Sequence, residues 1–259
     1  MKNIVRILII SVILVAGSFS TVDLQDYKVR KIVIDAGHGG KDPGTVGRIS
    51  HEKDVALAIA LETGRIIKEN MPDVEVIFTR TDDSYPTLHE RANLANTNNA
   101  DLFMSIHCNA ISNDRIYGSE TYVMGAHKTD DNLNLAQREN SVILQEEDYK
   151  EVYDDFDPTS PESYITFSLI QSAYQQNSIK FAQNIEYQFK NRVNRRSRGV
   201  KSAGFLVLWR TTMPSVLVEV GFLSNEKEEK ELNDKVNQVF IASGIYRAFR
   251  DYKNELENN

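Results

Sequence analysis

Four residues of the chain have the types and spacing to do chemistry together. His38 lies in Gly37-His38-Gly39-Gly40, directly after the apolar, β-branched run Lys31-Ile32-Val33-Ile34. Glu52 follows a loop punctuated by Pro43 and Gly44 and stands just before a helical pattern. His107 ends the apolar run Leu102-Phe103-Met104-Ser105-Ile106. Glu219 sits inside Val216-Leu217-Val218-Glu219-Val220, where a carboxylate is costly to bury without a partner. Two imidazoles and one carboxylate leave a coordination position open on Zn²⁺, which is a catalytic arrangement. Neutral nitrogen with hard oxygen fits zinc better than calcium or magnesium.

Each of these residues also has a plainer reading. A Gly-His-Gly-Gly stretch can be only a turn. Glu219 could form a salt bridge with Arg210 or Arg80. A metal-bound water is the other partner for Glu219, and an apolar setting would raise its pKa towards the range useful for proton transfer. His51 neighbours Glu52 and could be the ligand instead, although adjacent residues at a helix start point in different directions. His89 reads as a helix-surface residue and His127 as the start of a surface segment.

The elements that must hold these residues follow from the pattern of apolar positions. Strands are expected at 31–34, 74–78, 102–106 and 118–124, and again at Phe205–Leu208 and Val216–Val220. Helices are expected over Val55–Asn70, from the capping box at Thr87-Leu88-His89-Glu90 to about Asn98, and over Phe167–Val193. Two more, Asn225–Leu232 and Val236–Tyr252, close the chain. Alternation of strand and helix predicts an α/β sandwich with several parallel neighbouring strands. In such a sheet sites gather at the carboxyl ends of the strands, which suits His38 and His107.

Between Gly125 and Tyr164 the character changes. Acidic residues crowd there, among them Asp130, Asp131, Glu139, Glu146, Glu147 and Asp148, with Pro158 and Pro161. Leu133, Ala136 and Gln137 suggest one helix, and Val142-Ile143-Leu144 is a short apolar patch. The segment reads as an insertion over the surface, most simply a solvated acidic excursion. The basic run Lys190, Arg192, Arg195, Arg196, Arg198 and Lys201 could meet an anionic polymer, but reads first as a solvated helix end.

With 259 residues there is ample material for a core. The formal net charge of −7 disfavours a nucleic-acid partner. Residues 1–20 carry Lys2 and Arg6, then the apolar run Ile7–Ala16, then Gly17, Ser18 and Ser20, the order of a secretory signal peptide. The apolar run is short for a membrane span, so no stable span is expected after cleavage; an uncleaved anchor is the alternative. A polar lead-in, residues 21–29, follows. The single cysteine, Cys108, excludes an intrachain disulfide and reads as a small buried residue at a strand end.

The ordered segments IDAGHGGKDPGTVG, EKDVALAIA, RTDD, LHERANLAN, SIHCNA, GSETYVM and GFLVLWRTTMPSVLVEVGFLSN resemble the zinc-dependent N-acetylmuramoyl-L-alanine amidases of the amidase type 3 family, from about residue 30 to residue 252. The resemblance implies that one zinc ion is bound by His38, Glu52 and His107 and that Glu219 is catalytic. It names the substrate as bacterial peptidoglycan and the bond as the amide between the lactyl group of N-acetylmuramic acid and L-alanine. It implies a single α/β domain over residues 30–255, a three-layer sandwich with a mixed, mostly parallel sheet flanked by helices, and the signal-like residues 1–20 add the expectation of an exported protein, periplasmic or associated with the cell wall. Some members carry an extra helix in the interval of the acidic insertion that covers the zinc cleft until an activator protein displaces it. Here an acidic side chain, Glu139 among the candidates, could play that part. A zinc peptidase and a silent wall-binding module are the rival readings.

Overall fold

A computed structural model describes residues 28–165 and 174–258. The expected signal peptide, most of the lead-in and the start of the helix expected from Phe167 lie outside the described residues.

Strand β1 (Lys31–Ala36) occupies an inner position and pairs in parallel with β2 (Glu75–Phe78) on one side and β3 (Leu102–Asn109) on the other. Burial on both faces explains why its sequence is a continuous apolar run rather than an alternating one. Beyond β3 come β6 (Ser215–Phe222), β4 (Ser119–Met124) and β5 (Ser197–Ala203), giving the six-stranded order β2-β1-β3-β6-β4-β5. All pairings are parallel except β4 with β6, so the sheet is mixed and mostly parallel, as expected.

Alternation along the strands divides the core in two. Ile32, Ile34, Ile106, Val216 and Val218 face α1 (Glu52–Asn70), α5 (Gln175–Asn191) and α8 (Lys235–Glu257), packing with Ile59, Phe181, Ile185, Ile245 and Phe249. Val33, Phe103, Tyr122 and Leu217 face the other way, towards α2 (Leu88–Thr97) and α3 (Asp130–Asn140). The second face carries the site, because Asp35, His107 and Glu219 share the parity of Val33, Phe103 and Leu217.

Three expectations about elements need correction. Phe205–Leu208 is not a strand; it leads into the short helix α6 (Leu206–Trp209), every residue of the run being buried. A short apolar run does not distinguish a strand from a helical turn, because burial on all sides erases the period. The basic run is a solvated helix end only at Lys190 and Arg192, since α5 stops at Asn191 and Ser197–Ala203, with Arg198 and Lys201, forms β5 at the sheet edge. Charged side chains are common on edge strands. The acidic insertion is not a simple excursion either. Its helix α3, the 3₁₀ turn Ser141–Gln145, the short α4 (Tyr149–Val152) and the turn Pro161–Tyr164 contribute Leu135, Ala136, Val142, Ile143, Tyr153 and Tyr164 to the second core. Its acidic residues face outward except Glu139, which is buried, and Glu146, which is half-buried and accepts from Tyr85 OH and Tyr153 OH.

Helix α2 begins with the expected capping box: Glu90 N–H donates to Thr87 Oγ1 at 3.2 Å, and Thr87 N–H donates to Glu90 Oε2 at 2.7 Å. The helix α7 (Glu226–Asn233) sends Glu229 under the loop before α1, where its Oε1 accepts from Ile49 N–H at 2.9 Å. That contact holds the loop from which Glu52 emerges.

Candidate metal centre and active site

β1 ends at Ala36, and the chain turns through Gly37 into His38, whose backbone is left-handed at φ 59°. A non-glycine residue there is strained, and the surroundings hold it in place. Arg91 of α2 donates from Nη1 to Ala36 O at 2.7 Å and from Nη2 to His38 O at 2.8 Å. Arg80 donates from Nε to Ala36 O at 2.9 Å and from Nη2 to Gly37 O at 2.7 Å. Arg91 is itself buried against Asp35, with Nη1 to Oδ1 at 2.7 Å. Gly37 has no room for a side chain, because a Cβ there would come within 2.4 Å of the His107 ring. Two guanidinium groups thus pin the carbonyls of one turn and present the His38 imidazole to the sheet's second face.

Four side chains converge in front of that turn. One ligand atom from each of His38, Glu52, His107 and Glu139 lies within 4.8 Å of all the others, and all four residues are buried. Glu52 Oε1 lies 3.1 Å from His38 Nε2 and 3.0 Å from His107 Nδ1. Glu139 Oε2 lies 3.1 Å and 3.2 Å from the same two nitrogens. The other atoms of these residues are engaged. His38 Nδ1 meets Asp42 Oδ2 at 2.7 Å, Glu52 Oε2 accepts from Thr45 N–H at 2.8 Å, and Glu139 Oε1 pairs with Arg138 at 3.0 Å.

This donor set fits a divalent cation. A neutral His38 ring that donates its Nδ1–H to Asp42 would turn the Nε2 lone pair towards two carboxylate oxygens, acceptor against acceptor, so the cluster calls for a positive charge between them. His38 Nε2 and Glu139 Oε2 are buried with no hydrogen-bond partner among the described residues. A carboxylate on the far ring nitrogen is the usual way a ligating imidazole is oriented. The negative field is strong. Burial opposes an imidazolium at His107, yet the Glu139 and Glu52 carboxylates push its pKa up to about 9. Imidazole nitrogen and carboxylate oxygen together suit zinc.

Glu219 stands beside this centre. It is opposite His107 in the β3–β6 register and fully buried. Both of its carboxylate oxygens lack a hydrogen-bond partner among the described residues. Neither arginine considered from the sequence reaches it: Arg210 pairs with Asp154 at 2.5 Å, and Arg80 is spent on backbone carbonyls. Burial, reinforced by the Glu52 and Glu139 charges, raises its pKa well above the ordinary carboxylate range.

The remaining histidines stay outside the cluster. His51 is exposed and lies 3.7 Å from Asp54, and His89 is half-buried, with its backbone N–H donated to Tyr153. Cys108 is fully buried, and its backbone N–H donates to Glu52 Oε1 at 2.8 Å. Sequence reasoning missed the positioning roles of Asp35, Asp42, Arg80 and Arg91. Their one signal was presence within the IDAGHGGKDPGTVG, RTDD and LHERANLAN segments.

A family model described as N-acetylmuramoyl-L-alanine amidase matches residues 32–251. The chain belongs to this family. The amidase is 32% identical over 232 residues to AmiA, an N-acetylmuramoyl-L-alanine amidase of Salmonella typhimurium strain LT2, covering 88% of this chain and 78% of that protein. Its fold matches the catalytic domain of CwlV, an N-acetylmuramoyl-L-alanine amidase from Bacillus (Paenibacillus) polymyxa var. colistinus. That match has a TM-score of 0.65 at 32% identity and covers 87% of this chain and 98% of the other. The CwlD amidase of Clostridioides difficile, solved in complex with the GerS lipoprotein, matches with a TM-score of 0.64 at 28% identity, covering 87% and 99%. The amidase is therefore a peptidoglycan hydrolase by family and by fold. Among the described residues no helix is long and apolar enough to cross a membrane.

Proposed function

We propose that the amidase holds one zinc ion with His38, Glu52 and His107, uses Glu219 as general acid and base, and is slowed by Glu139. The observation that carries the reading is the meeting of His38 Nε2, His107 Nδ1, Glu52 Oε1 and Glu139 Oε2 in one buried cluster beside an unpartnered Glu219.

Zinc at this centre supplies a Lewis acid that polarises the amide carbonyl and brings the pKa of water near neutrality. The chain's own residues do the rest. Glu219, in an apolar strand and close to two other carboxylates, has the raised pKa of a group that can take a proton from the attacking water and return it to the departing alanine nitrogen. Asp42 fixes the His38 ring, and Thr45 N–H and Cys108 N–H fix the two oxygens of Glu52. The bond cleaved is the amide between the lactyl group of N-acetylmuramic acid and L-alanine, following the family's name.

Glu139 is the reason for proposing autoinhibition. Its Oε2 lies 3.1 Å from His38 Nε2 and 3.2 Å from His107 Nδ1, within the proposed ligand set. It is a carboxylate held ionised: burial opposes the charge, but His38 and Arg138 bring its pKa well below the usual value. A carboxylate in that position competes with water and with the substrate carbonyl for the metal. Release requires a partner with higher affinity for the open state. That CwlD was solved with a lipoprotein supports a protein partner here. The signal-like residues 1–20 support export to the periplasm or wall, where peptidoglycan lies.

The test is mass spectrometry of peptidoglycan digested with and without a chelator. New free L-alanine amino termini on an intact glycan, lost with chelator and restored by zinc, are expected. Cleavage within the stem peptide, or turnover indifferent to the chelator, overturns the reading.

A further inference from the structure

Next to the metal centre, on the far side of α3 from His38, the sheet carries a second polar cluster that the reaction as described does not use. Its anchor is Glu120 on β4, which is almost fully buried. Glu120 lies directly opposite Glu219 in the antiparallel β4–β6 register. Facing residues of such a pair hold their Cβ atoms about 5 Å apart and point to the same face. The cluster therefore begins one strand spacing from the proposed general base.

The Glu120 carboxylate is saturated. Oε1 accepts from Arg198 Nε at 2.6 Å and from Lys201 Nζ at 2.5 Å. Oε2 accepts from Tyr122 OH at 2.7 Å and from Asn109 Nδ2 at 3.2 Å. One acid thus faces two cations. Arg198 spends only Nε, so both Nη groups are without a hydrogen-bond partner among the described residues, and Lys201 retains two N–H donors in the same condition. Both side chains remain about a quarter exposed, each 24%. Arg198 and Lys201 line a cavity of about 230 Å³ between β4, β5 and α3. Arg138 borders the same cavity, but Ala110 O, Asn109 Oδ1 and Glu139 already take its donors. Besides Glu120, the acid lining the cavity is Asp131, exposed on α3.

Unused, pre-positioned guanidinium and ammonium donors beside one compensated acid are suited to a further carboxylate. In the substrate the lactyl carboxyl is tied up in the scissile amide and the N-acetyl sugars are neutral. Negative charge therefore lies on the peptide side of the bond.

We propose that Arg198 and Lys201, held in place by Glu120, form a subsite for a stem-peptide carboxylate close to the scissile amide, so that the enzyme selects stems whose second residue is the free acid over its carboxamide. This rests on the amidase reading above.

The experiment compares kcat/KM of the zinc-loaded full chain on two muropeptides that differ only in that group, and repeats it for Arg198→Gln and Lys201→Gln. We expect the parent to favour the acid on the order of 10- to 100-fold, the scale of a charge-assisted contact. Each variant should lower that ratio several-fold. A purely structural salt bridge would slow both substrates alike and leave the ratio where it was, which overturns the proposal. A parent ratio near one overturns it without any variant and leaves the amidase reading standing. The comparison is also run in the Glu139→Ala background, where the proposed plug is absent, and no turnover on either muropeptide there counts against the amidase reading instead. The subsite is then decided by NMR titration with the L-alanyl dipeptide of glutamate as free acid and as amide. Tighter binding of the acid, weakened in both variants, upholds the proposal, and equal binding overturns it.

Discussion

Glu139 Oε2 lies 3.1 Å from His38 Nε2, although the two residues come from a helix of the acidic insertion and from the turn after the first strand. The contact places an insertion carboxylate among the proposed metal ligands. It makes the insertion part of the centre rather than a cover laid over it.

If that contact is inhibitory, Glu139→Ala should hydrolyse purified peptidoglycan faster than the parent with no partner present. Because Leu135, Ala136 and Ile143 stay in the core, the variant should fold normally. Replacing residues 130–160 by a Gly/Ser linker should have the same sense but with a loss of stability, since it also removes buried apolar side chains. Turbidity clearance by zinc-loaded Glu139→Ala that is no faster than the parent's would sink the autoinhibition.

The metal should leave in graded fashion. His38→Ala and His107→Ala should each lose bound zinc and activity together. Asp42→Asn, which loosens the His38 ring without removing a ligand, should weaken zinc binding about 10- to 100-fold. Metal analysis and chelator competition on the purified variants check this, and full occupancy in both alanine variants would remove the assignment.

Glu219→Gln should retain zinc and fold but lose most turnover. The amide keeps the size and cannot accept a proton, and general acid–base catalysis is typically worth about 100- to 10,000-fold. The swap also removes a carboxyl whose oxygens are buried without partners, so stability should not fall. Parental turnover in this variant would exclude the role.

The Asp35–Arg91 pair should show itself in acid. Burial works against the Asp35 charge, but Arg91, Ser105 and Thr79 more than offset it and leave the pKa below its ordinary value. A carboxyl depressed in the folded state adds stability above its unfolded pKa of about 3.9, and that stability is lost as the pH falls through the folded value. Asp35→Asn leaves the Arg91 guanidinium buried without its ion partner and should cost about 3–5 kcal/mol near neutral pH. The gap between variant and parent should narrow as the pH drops below about 4. Denaturant unfolding at several pH values measures it, and a gap independent of pH would contradict the assignment.

What the sequence by itself determined is what neighbouring residues determine. Lys31–Ala36 and Leu102–Asn109 are strands because their apolar, β-branched runs are buried on both faces, and α2 starts at Thr87 because its capping box is local. The positions of His38, Glu52, His107 and Glu219 were legible because each sits at the end of, or inside, such an element. Tertiary structure decided the rest. Phe205–Leu208 and Ser197–Ala203 took their conformations from burial and from a place at the sheet edge, which no short window of sequence encodes. Arg80 and Arg91 became the clamps of the His38 turn only because β2 and α2 pack beside β1. Among many acids of one segment, Glu139 alone turned inward to His38 and His107, since Leu135 and Ala136 commit that face of α3 to the core. A helix period shows which side of α3 is buried, but which acid lands on two imidazoles depends on how α3 docks on the sheet, and that docking is set by side chains distant in sequence.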